Sequence, residues 1–244
     1  MRILYIKPTN NSGENLKIKT YLETYKESGT QVEVRNAATG PKHLESPYYE
    51  AVAGPEILRM VREADREGFD GAIVGCFYDP CLYAAREIAS RMVVTAPAES
   101  SMHLAAMLGR VFSIIIGHDK WRLVMDENVR KYGFAHKLAS FRSVGLGVLE
   151  FHKDPEYTSR KMKEEIAKAI REDLAETVIL GCTMQYGFFK EMQEEFEIPV
   201  IDSMLAAFKY AEMLANVRDK TGWQTSRVSS YKTPDLDEMR GWGL

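Results

Sequence analysis

Two of the three cysteines stand in matching sequence contexts, and a pair of thiols can move protons. Cys76 ends the segment DGAIVGC and Cys182 ends the segment ETVILGC, so both share an acidic residue, two intervening residues, two apolar residues, glycine and cysteine. A thiolate can remove a proton from one face of a carbon while a thiol returns one from the other face. Because the two groups are chemically alike, the reaction can run in both directions. The pair therefore favours an enzyme that inverts a carbon centre.

The elements that must position these thiols are strands that alternate with helices, which is typical of parallel α/β folds. The expected strands are Arg2–Lys7, Gln31–Arg35, Asp70–Gly75, Arg91–Thr95, Arg110–Gly117, Phe141–Leu149, Thr177–Gly181 and Ile198–Ile201. The expected helices are Gly13–Ser28, Pro55–Glu67, Asp79–Ser90, Ser101–Leu108, Lys120–Tyr132, Pro155–Ala175, Phe188–Phe196 and Ser203–Asn216. Both cysteines then follow the carboxyl end of a strand, where open parallel sheets bind ligands. A helix that starts just after each cysteine would favour the thiolate. The alternative is that both cysteines are buried core residues.

The chain also repeats itself in order. The first strand has a counterpart in Ile114–Asp119, and Glu99–Met102 is echoed by Asp202–Met204. We therefore predict an α/β fold of two similar, pseudo-symmetric three-layer domains, each with a parallel four-stranded sheet and with the active site in the cleft between them. The first half comprises residues 1–97 plus 203–244, and the second comprises residues 98–202.

Composition excludes several classes of protein. The 244 residues are 45% hydrophobic and carry a formal net charge of −3, whereas a free-standing nucleic-acid binder is usually basic. No apolar run approaches the roughly 18 residues of a membrane span. The first residues, MRILYIK, do not resemble a signal peptide. We expect a cytoplasmic protein that acts on a small-molecule substrate without nucleic-acid or membrane partners, and we expect a homo-oligomer.

No cofactor or metal is expected. The sequence contains no Gly-rich phosphate loop of the dinucleotide or Walker type. Cys76 and Cys81 lack a second ligand pair at zinc spacing, and Cys81 is interpreted as a packing residue.

Residues 1 to about 235 resemble the aspartate/glutamate/hydantoin racemase superfamily, and within it the hydantoin racemases. The resemblance rests on several motifs, which are Ile6–Asn10, Gly40-Pro41 with Leu44–Ser46 and Tyr49, Cys76-Phe-x-Asp79-Pro80, Ala98-Glu99 with His103–Ala105 and Leu108-Gly109, Gly181-Cys182, and Pro199–Asp202. It implies a cofactor-independent racemase with two α/β halves and one catalytic cysteine from each, namely Cys76 and Cys182.

Four departures from the hydantoin racemase pattern fall where the substrate is expected. Asn-Pro-Asn-Thr/Ser becomes Lys7–Asn10, and a hydroxyl residue after the fifth strand becomes Gly117-His118. Cys-Phe-Gly-Asp-Pro-Gly becomes Cys76–Cys81, and Gly-Cys-Ala-Gly-Met becomes Gly181–Gln185. The resemblance therefore supports the mechanism better than it supports hydantoin as the substrate.

The remaining candidates each have a functional and a structural interpretation. The candidate substrate-binding residues are Thr9, Asn10, Phe77, Tyr78, His118 and Thr183. The polar loop at Thr9 could instead cap a helix through Asn11 or Ser12. The aromatic pair could pack in the core, His118 could be a surface residue, and Thr183 could be a helix cap. Other residues have structural predictions only: Asp79-Pro80 starts a helix, His103 is a core histidine, and Glu99 and Asp202 fix loops near the cleft.

Three other functions remain open. The same fold could support a decarboxylase that reprotonates from one face, or a cis–trans isomerase that attacks a double bond with cysteine. A two-lobed α/β protein could also bind a small molecule without catalysis. Single-cysteine decarboxylases keep one of the two thiol positions, whereas this chain has both, which favours racemisation or isomerisation.

Overall fold

A computed structural model describes residues 1–235 and 238 of the chain. Its two compact units comprise Met1–Gly75, Pro80–Ala96 and Phe208–Leu244 for the first, and Cys76–Asp79 and Pro97–Ala207 for the second. The chain positions 236–237 and 239–244, which the sequence analysis included in the first half, lie outside the described residues. Among the residues described, no helix combines the length and the apolar character needed to cross a membrane.

The first unit is built on a parallel sheet with the strand order β2-β1-β3-β4. Its strands are β1 (Arg2–Lys7), β2 (Gln31–Asn36), β3 (Gly71–Val74) and β4 (Val93–Thr95). The flanking helices are α1 (Asn15–Tyr25), α2 (Pro47–Arg66) and α3 (Leu82–Ile88). The central strands β1 and β3 are buried along nearly their whole length, as expected for a sheet that is covered on both faces.

The second unit repeats this plan with the strand order β6-β5-β7-β8, again all parallel. Its strands are β5 (Phe112–Ile116), β6 (Leu138–Ser143), β7 (Thr177–Leu180) and β8 (Val200–Asp202). Its helices are α4 (Pro97–Leu108), α5 (Arg122–Lys131), α6 (Pro155–Asp173) and α7 (Phe189–Phe196), and the division between the units falls inside α8 (Ser203–Thr221). The predicted α/β fold with two four-stranded parallel sheets is confirmed.

Two elements differ most from their predicted positions. The strand predicted over Phe141–Leu149 is β6 over Leu138–Ser143, an edge strand in which every residue is only partly buried. The helix predicted from Pro55 begins at Pro47, so Pro55 lies in its interior. Ser46-Pro47 supplies the real start, because proline suits the first turn of a helix.

Candidate functional site

Cys76 and Cys182 occupy equivalent positions in the two sheets. Cys76 follows β3 after Gly75, and Cys182 follows β7 after Gly181. The amide of Gly75 donates to the carbonyl of Ile6 at 2.8 Å, and the amide of Gly181 donates to the carbonyl of Ile115 at 2.8 Å. The hydrogen bonds between neighbouring strands therefore continue to the residue before each cysteine. A central strand of the sheet thus fixes the backbone position of each cysteine.

Both cysteines belong to the second unit, and both are half-buried. Their side chains pack at the margin of one apolar cluster, whose buried members include Phe77, Ala98 and Ile116. The interpretation of the two thiols as fully buried core residues is wrong, because each keeps part of its surface exposed.

Neither cysteine is followed directly by an α-helix, so the expected helix start beside each thiol is wrong. Cys182 precedes a single 3-10 turn over Thr183–Gln185, and α7 begins at Phe189, one residue after its predicted start. After Cys76, the residues Asp79 and Cys81 both have positive φ, and α3 starts at Leu82. Pro80 lies between two left-handed residues, so this segment is a tight turn and cannot be helical.

The 3-10 turn surrounds Cys182 with hydrogen bonds. The sulfur of Cys182 accepts from the backbone amide of Gln185, and the amide of Cys182 donates to Oε1 of Gln185 at 3.1 Å. A donor that points at sulfur favours the charged thiolate, which is the form that removes protons. Gln185 was not among the candidate site residues. Its position three residues after the cap residue Cys182, which is the spacing of a capping box, was the available signal.

Asp79 does not cap its own helix, contrary to the prediction. Its carboxylate accepts from the amides of Ala98 and Glu99, both at 2.8 Å, in the first turn of α4, and from the hydroxyl of Tyr132 at 3.0 Å. The side chain is only 2% exposed. Burial raises the pKa of Asp79 to about 7, because desolvation outweighs the three donors that favour the carboxylate.

The polar loop after β1 is a helix cap, as one of its two interpretations predicted. The side chain of Asn11 accepts from the amide of Gly13 at 3.1 Å at the start of a 3-10 turn. The amide of Asn10 donates to the carbonyl of Pro41 at 2.8 Å, and the side chain of Asn10 is exposed, while Thr9 is partly buried. Contacts of Thr9 and Asn10 with a substrate stay a prediction.

Lys7 begins the departure Lys7–Asn10 from the family pattern, although it was not among the candidate substrate-binding residues. It ends β1, it is only 7% exposed, and its ammonium donates to the carbonyl of Asn11. Desolvation by burial lowers the pKa of Lys7. The burial of Lys7 is unusual, since lysine is rarely buried, and its position directly after the apolar run Ile3–Ile6 was the available signal.

The other predicted site residues lie in the second unit. Phe77 and Tyr78 are buried in its apolar cluster, and Nδ2 of Asn128 donates to the carbonyl of Tyr78 at 2.7 Å. His118 is partly buried and packs edge-on against Trp121, with ring centroids 5.9 Å apart. Thr183 is buried at the start of the 3-10 turn. The rings of Phe77 and Tyr78 therefore contribute to core packing, and the substrate contacts of these four residues stay predictions.

Three further residues were given structural predictions. Asp202 fixes a loop, as expected, because its carboxylate accepts from the amide of Gly187 at 3.0 Å. Cys81 packs against α2, where its sulfur would lie 3.2 Å from a Cβ placed at Gly54. The prediction of a core histidine at His103 is wrong, because this side chain is exposed, with Nδ1 2.8 Å from the carbonyl of Glu99 and its ring edge-on to Phe134. In the part of the chain that the structure describes, no three His, Cys, Asp or Glu side chains are grouped so that they could hold a metal ion.

Two parallel four-stranded sheets, each with a cysteine directly after its third strand in chain order, define the class of α/β protein to which the chain belongs. Residues 3–211 match the model of the Asp/Glu/Hydantoin racemase family, and the chain belongs to this family. It is 32% identical over 241 residues to a hydantoin racemase of Pseudomonas sp. (strain NS671), with 99% of this chain and 95% of that relative covered. It is 34% identical over 235 residues to a hydantoin racemase of Paenarthrobacter aurescens, with 96% and 98% covered.

Solved structures agree with this assignment. The chain superimposes on an allantoin racemase from Klebsiella pneumoniae with a TM-score of 0.89 at 28% identity, covering 96% of this chain and 94% of that one. The protein is a racemase.

Proposed function

We propose that this racemase inverts a carbon next to a carbonyl in a small cyclic ureide of the hydantoin or allantoin type, with Cys76 and Cys182 as the two proton-transfer groups. The observation that carries the proposal is the equivalent placement of the two thiols, each half-buried after the third strand in chain order of its sheet. The relatives with 28% identity or more that are described above are named hydantoin racemase and allantoin racemase. In both compounds a carbonyl acidifies the neighbouring C–H bond.

The proton transfers balance without a cofactor. One thiolate takes the proton of the carbon and becomes a thiol, while the electron pair of the C–H bond moves onto the carbonyl as an enolate. The second thiol then donates its proton to the opposite face and becomes a thiolate. The two cysteines exchange protonation states, so the enzyme is set for the reverse direction after each turnover.

The amide that donates to the sulfur of Cys182 supports this assignment, because it favours the thiolate from which a turnover can start. Lys7 and the capped loop of Thr9 and Asn10 supply a cation and polar groups at the end of β1, where parallel sheets bind ligands. We propose that they contact the carbonyl oxygens of the substrate.

The test combines polarimetry with isotope exchange. Purified protein is offered single enantiomers of 5-substituted hydantoins, of allantoin and of free amino acids in D₂O, with enzyme-free samples as the reference for spontaneous exchange. A cyclic ureide should lose its optical rotation, and each inverted molecule should carry deuterium at the inverted carbon. Retention of the original hydrogen through many turnovers, or turnover of amino acids alone, would contradict the proposal.

Three cysteine variants assign the roles. Cys76→Ser and Cys182→Ser should each lower racemisation by about 10²–10⁴-fold, the usual loss of a general acid or base. Each variant should retain deuterium exchange without inversion for one enantiomer, and the two variants should retain it for opposite enantiomers. Cys81→Ala is the matched control, because this thiol packs on α2, and it should racemise at nearly the normal rate. An inactive Cys81→Ala beside an active Cys182→Ser would show that the thiol pair is wrongly assigned.

We further propose that the protein needs no metal and that it works in the cytoplasm as a homo-oligomer. We also propose that its first half comprises residues 1–97 plus 203–244 and that its second half comprises residues 98–202. Activity should survive dialysis against a chelator. Size-exclusion chromatography with light scattering should give a mass of two or more times the 27.7 kDa of one chain, and a mass of one chain would contradict the homo-oligomer.

A further inference from the structure

Two buried carboxylates hold the loops that follow the two cysteines. Asp79 lies three residues after Cys76, and its own amide donates to the carbonyl of Cys76 at 2.9 Å. One carboxylate oxygen of Asp79 accepts from the amide of Ala98, and the other accepts from the amide of Glu99 and the hydroxyl of Tyr132. The loop of Cys76 is thus tied to the first turn of α4.

Asp202 makes the corresponding connection after the other cysteine. It is 4% exposed, and one of its oxygens accepts from the amides of Met204 at 2.9 Å and Leu205 at 3.1 Å, in the first turn of α8. The other oxygen accepts from the amide of Gly187, which ends the loop that starts at Cys182. This loop is thus tied to the first turn of α8.

The two connections are alike, although their carboxylates come from different places in the chain. In both cases the loop after the cysteine is joined to the helix that follows the fourth strand of the sheet. Asp79 belongs to the loop itself, whereas Asp202 ends the strand. Each of these side chains also lies at a helix N-terminus, where the free backbone amides need hydrogen-bond acceptors.

We propose that Asp79 and Asp202 are positioning residues, which hold Cys76 and Cys182 respectively in the geometry that proton transfer requires. The proposal rests on the two-cysteine function. A displacement of about 1 Å at a reacting group can cost about 10²-fold in rate, so a loop that carries a catalytic thiol must be held by groups that are themselves fixed. Neither aspartate needs to touch the substrate.

The test uses one conservative variant for each thiol. Asp79→Asn replaces one of the two carboxylate oxygens with an NH₂ group, which cannot accept a hydrogen bond. Depending on the orientation of the amide, the variant loses either the bond from Ala98 or the bonds from Glu99 and Tyr132. Asp202→Asn does the same beside Gly187 or beside the start of α8. Alkylation by iodoacetamide is followed for each cysteine peptide by mass spectrometry between pH 6 and pH 9. Glu194→Gln, an exposed carboxylate on α7, is the control.

Asp79→Asn should change the rate and the pH profile of alkylation severalfold at Cys76 and leave Cys182 unchanged, whereas Asp202→Asn should show the reverse. In both variants kcat should fall about 10- to 100-fold with little change in KM. A destabilised fold would alter both thiols together. Equal changes at the two thiols, or no change at either, would overturn the proposal.

Two further measurements keep the outcome unambiguous. Tyr132→Phe removes only one of the three donors to Asp79, so it gives a milder and still selective effect at Cys76 if Asp79→Asn does not fold. Alkylation of Cys76 or Cys182 in the unaltered enzyme must abolish racemisation. If racemisation survives that alkylation, the two-cysteine function fails, whatever the aspartate variants do.

Discussion

At Gly75 and at Gly181, a side chain would overlap atoms of the neighbouring strand. A Cβ at Gly75 would lie 2.4 Å from Cζ of Tyr5, and a Cβ at Gly181 would lie 2.6 Å from Cγ2 of Ile114. At Gly181 the backbone oxygen of Ile115 would also be 3.0 Å away, so no rotamer change could remove the whole contact. These glycines let the strand before each thiol pack closely against its neighbour.

We expect Gly181→Ala to lower the free energy of unfolding by about 1–3 kcal/mol, the usual cost of overpacking. The displaced strand end should also slow racemisation and change the alkylation rate of Cys182. Urea denaturation and peptide-resolved alkylation measure the two effects. Normal stability together with normal reactivity of Cys182 would show that β7 and β5 accommodate the added carbon.

At the scale of elements, α3 depends on the chain that follows α8. The guanidinium of Arg227 donates to the carbonyls of Arg86 at 2.7 Å and Ser90 at 3.1 Å, and also to that of Ala89, at the carboxyl end of α3. The ring of Tyr231 packs edge-on against Tyr83 of the same helix. Arg227 and Tyr231 therefore anchor the chain that follows α8 to α3.

Arg227→Ala should loosen α3, because the last carbonyls of a helix have no partner within the helix. We expect the amides of Leu82–Ile88 to exchange hydrogen faster, and the free energy of unfolding to fall by about 1–2 kcal/mol. Hydrogen exchange measured on peptides tests this, with α6 as the internal reference. Lys232→Ala, an exposed residue of the same segment, should change neither quantity.

At the scale of the whole molecule, the raised pKa of Asp79 makes stability depend on pH. An aspartate in the unfolded chain titrates near pH 4, whereas burial raises the pKa of Asp79 in the folded protein to about 7. The folded state therefore binds the proton of Asp79 more tightly than the unfolded chain does. The contribution of this proton binding to the free energy of unfolding is complete below about pH 4. That contribution decreases as pH rises to about 7 and is gone above it.

The prediction is a comparison of Asp79→Asn with the unaltered protein. Between pH 5 and pH 7 the unaltered protein should lose up to about 2–3 kcal/mol of unfolding free energy relative to the variant, which has no proton to lose. The groups that face Asp79 are Glu99 and Tyr132, and the negative charge of Glu99 acts in the same direction as burial. Chemical denaturation at several pH values measures the difference, and parallel curves would contradict it.

The sequence by itself determined the repeated architecture and the positions of the thiols. Strand β1 was predicted with its observed bounds, and both Gly-Cys pairs were placed at strand ends, because buried parallel strands appear in a sequence as short apolar runs. The family was evident from several short motifs along the chain, of which Cys76-Phe-x-Asp79-Pro80 and Glu99 with His103–Ala105 are the most specific. These features depend on residues that are neighbours in the chain.

Only the tertiary structure decided the partners of the polar groups. Asp79 was predicted to cap its own helix, but its carboxylate binds α4 and Tyr132, which lie 19 to 53 residues further along the chain. The edge strand β6 was misplaced because its partly exposed residues lack the apolar run by which central strands are recognised. The spacing of apolar residues along the chain predicts whether a segment is a helix or a strand. The hydrogen-bond partner of a buried polar side chain depends instead on how distant segments pack together.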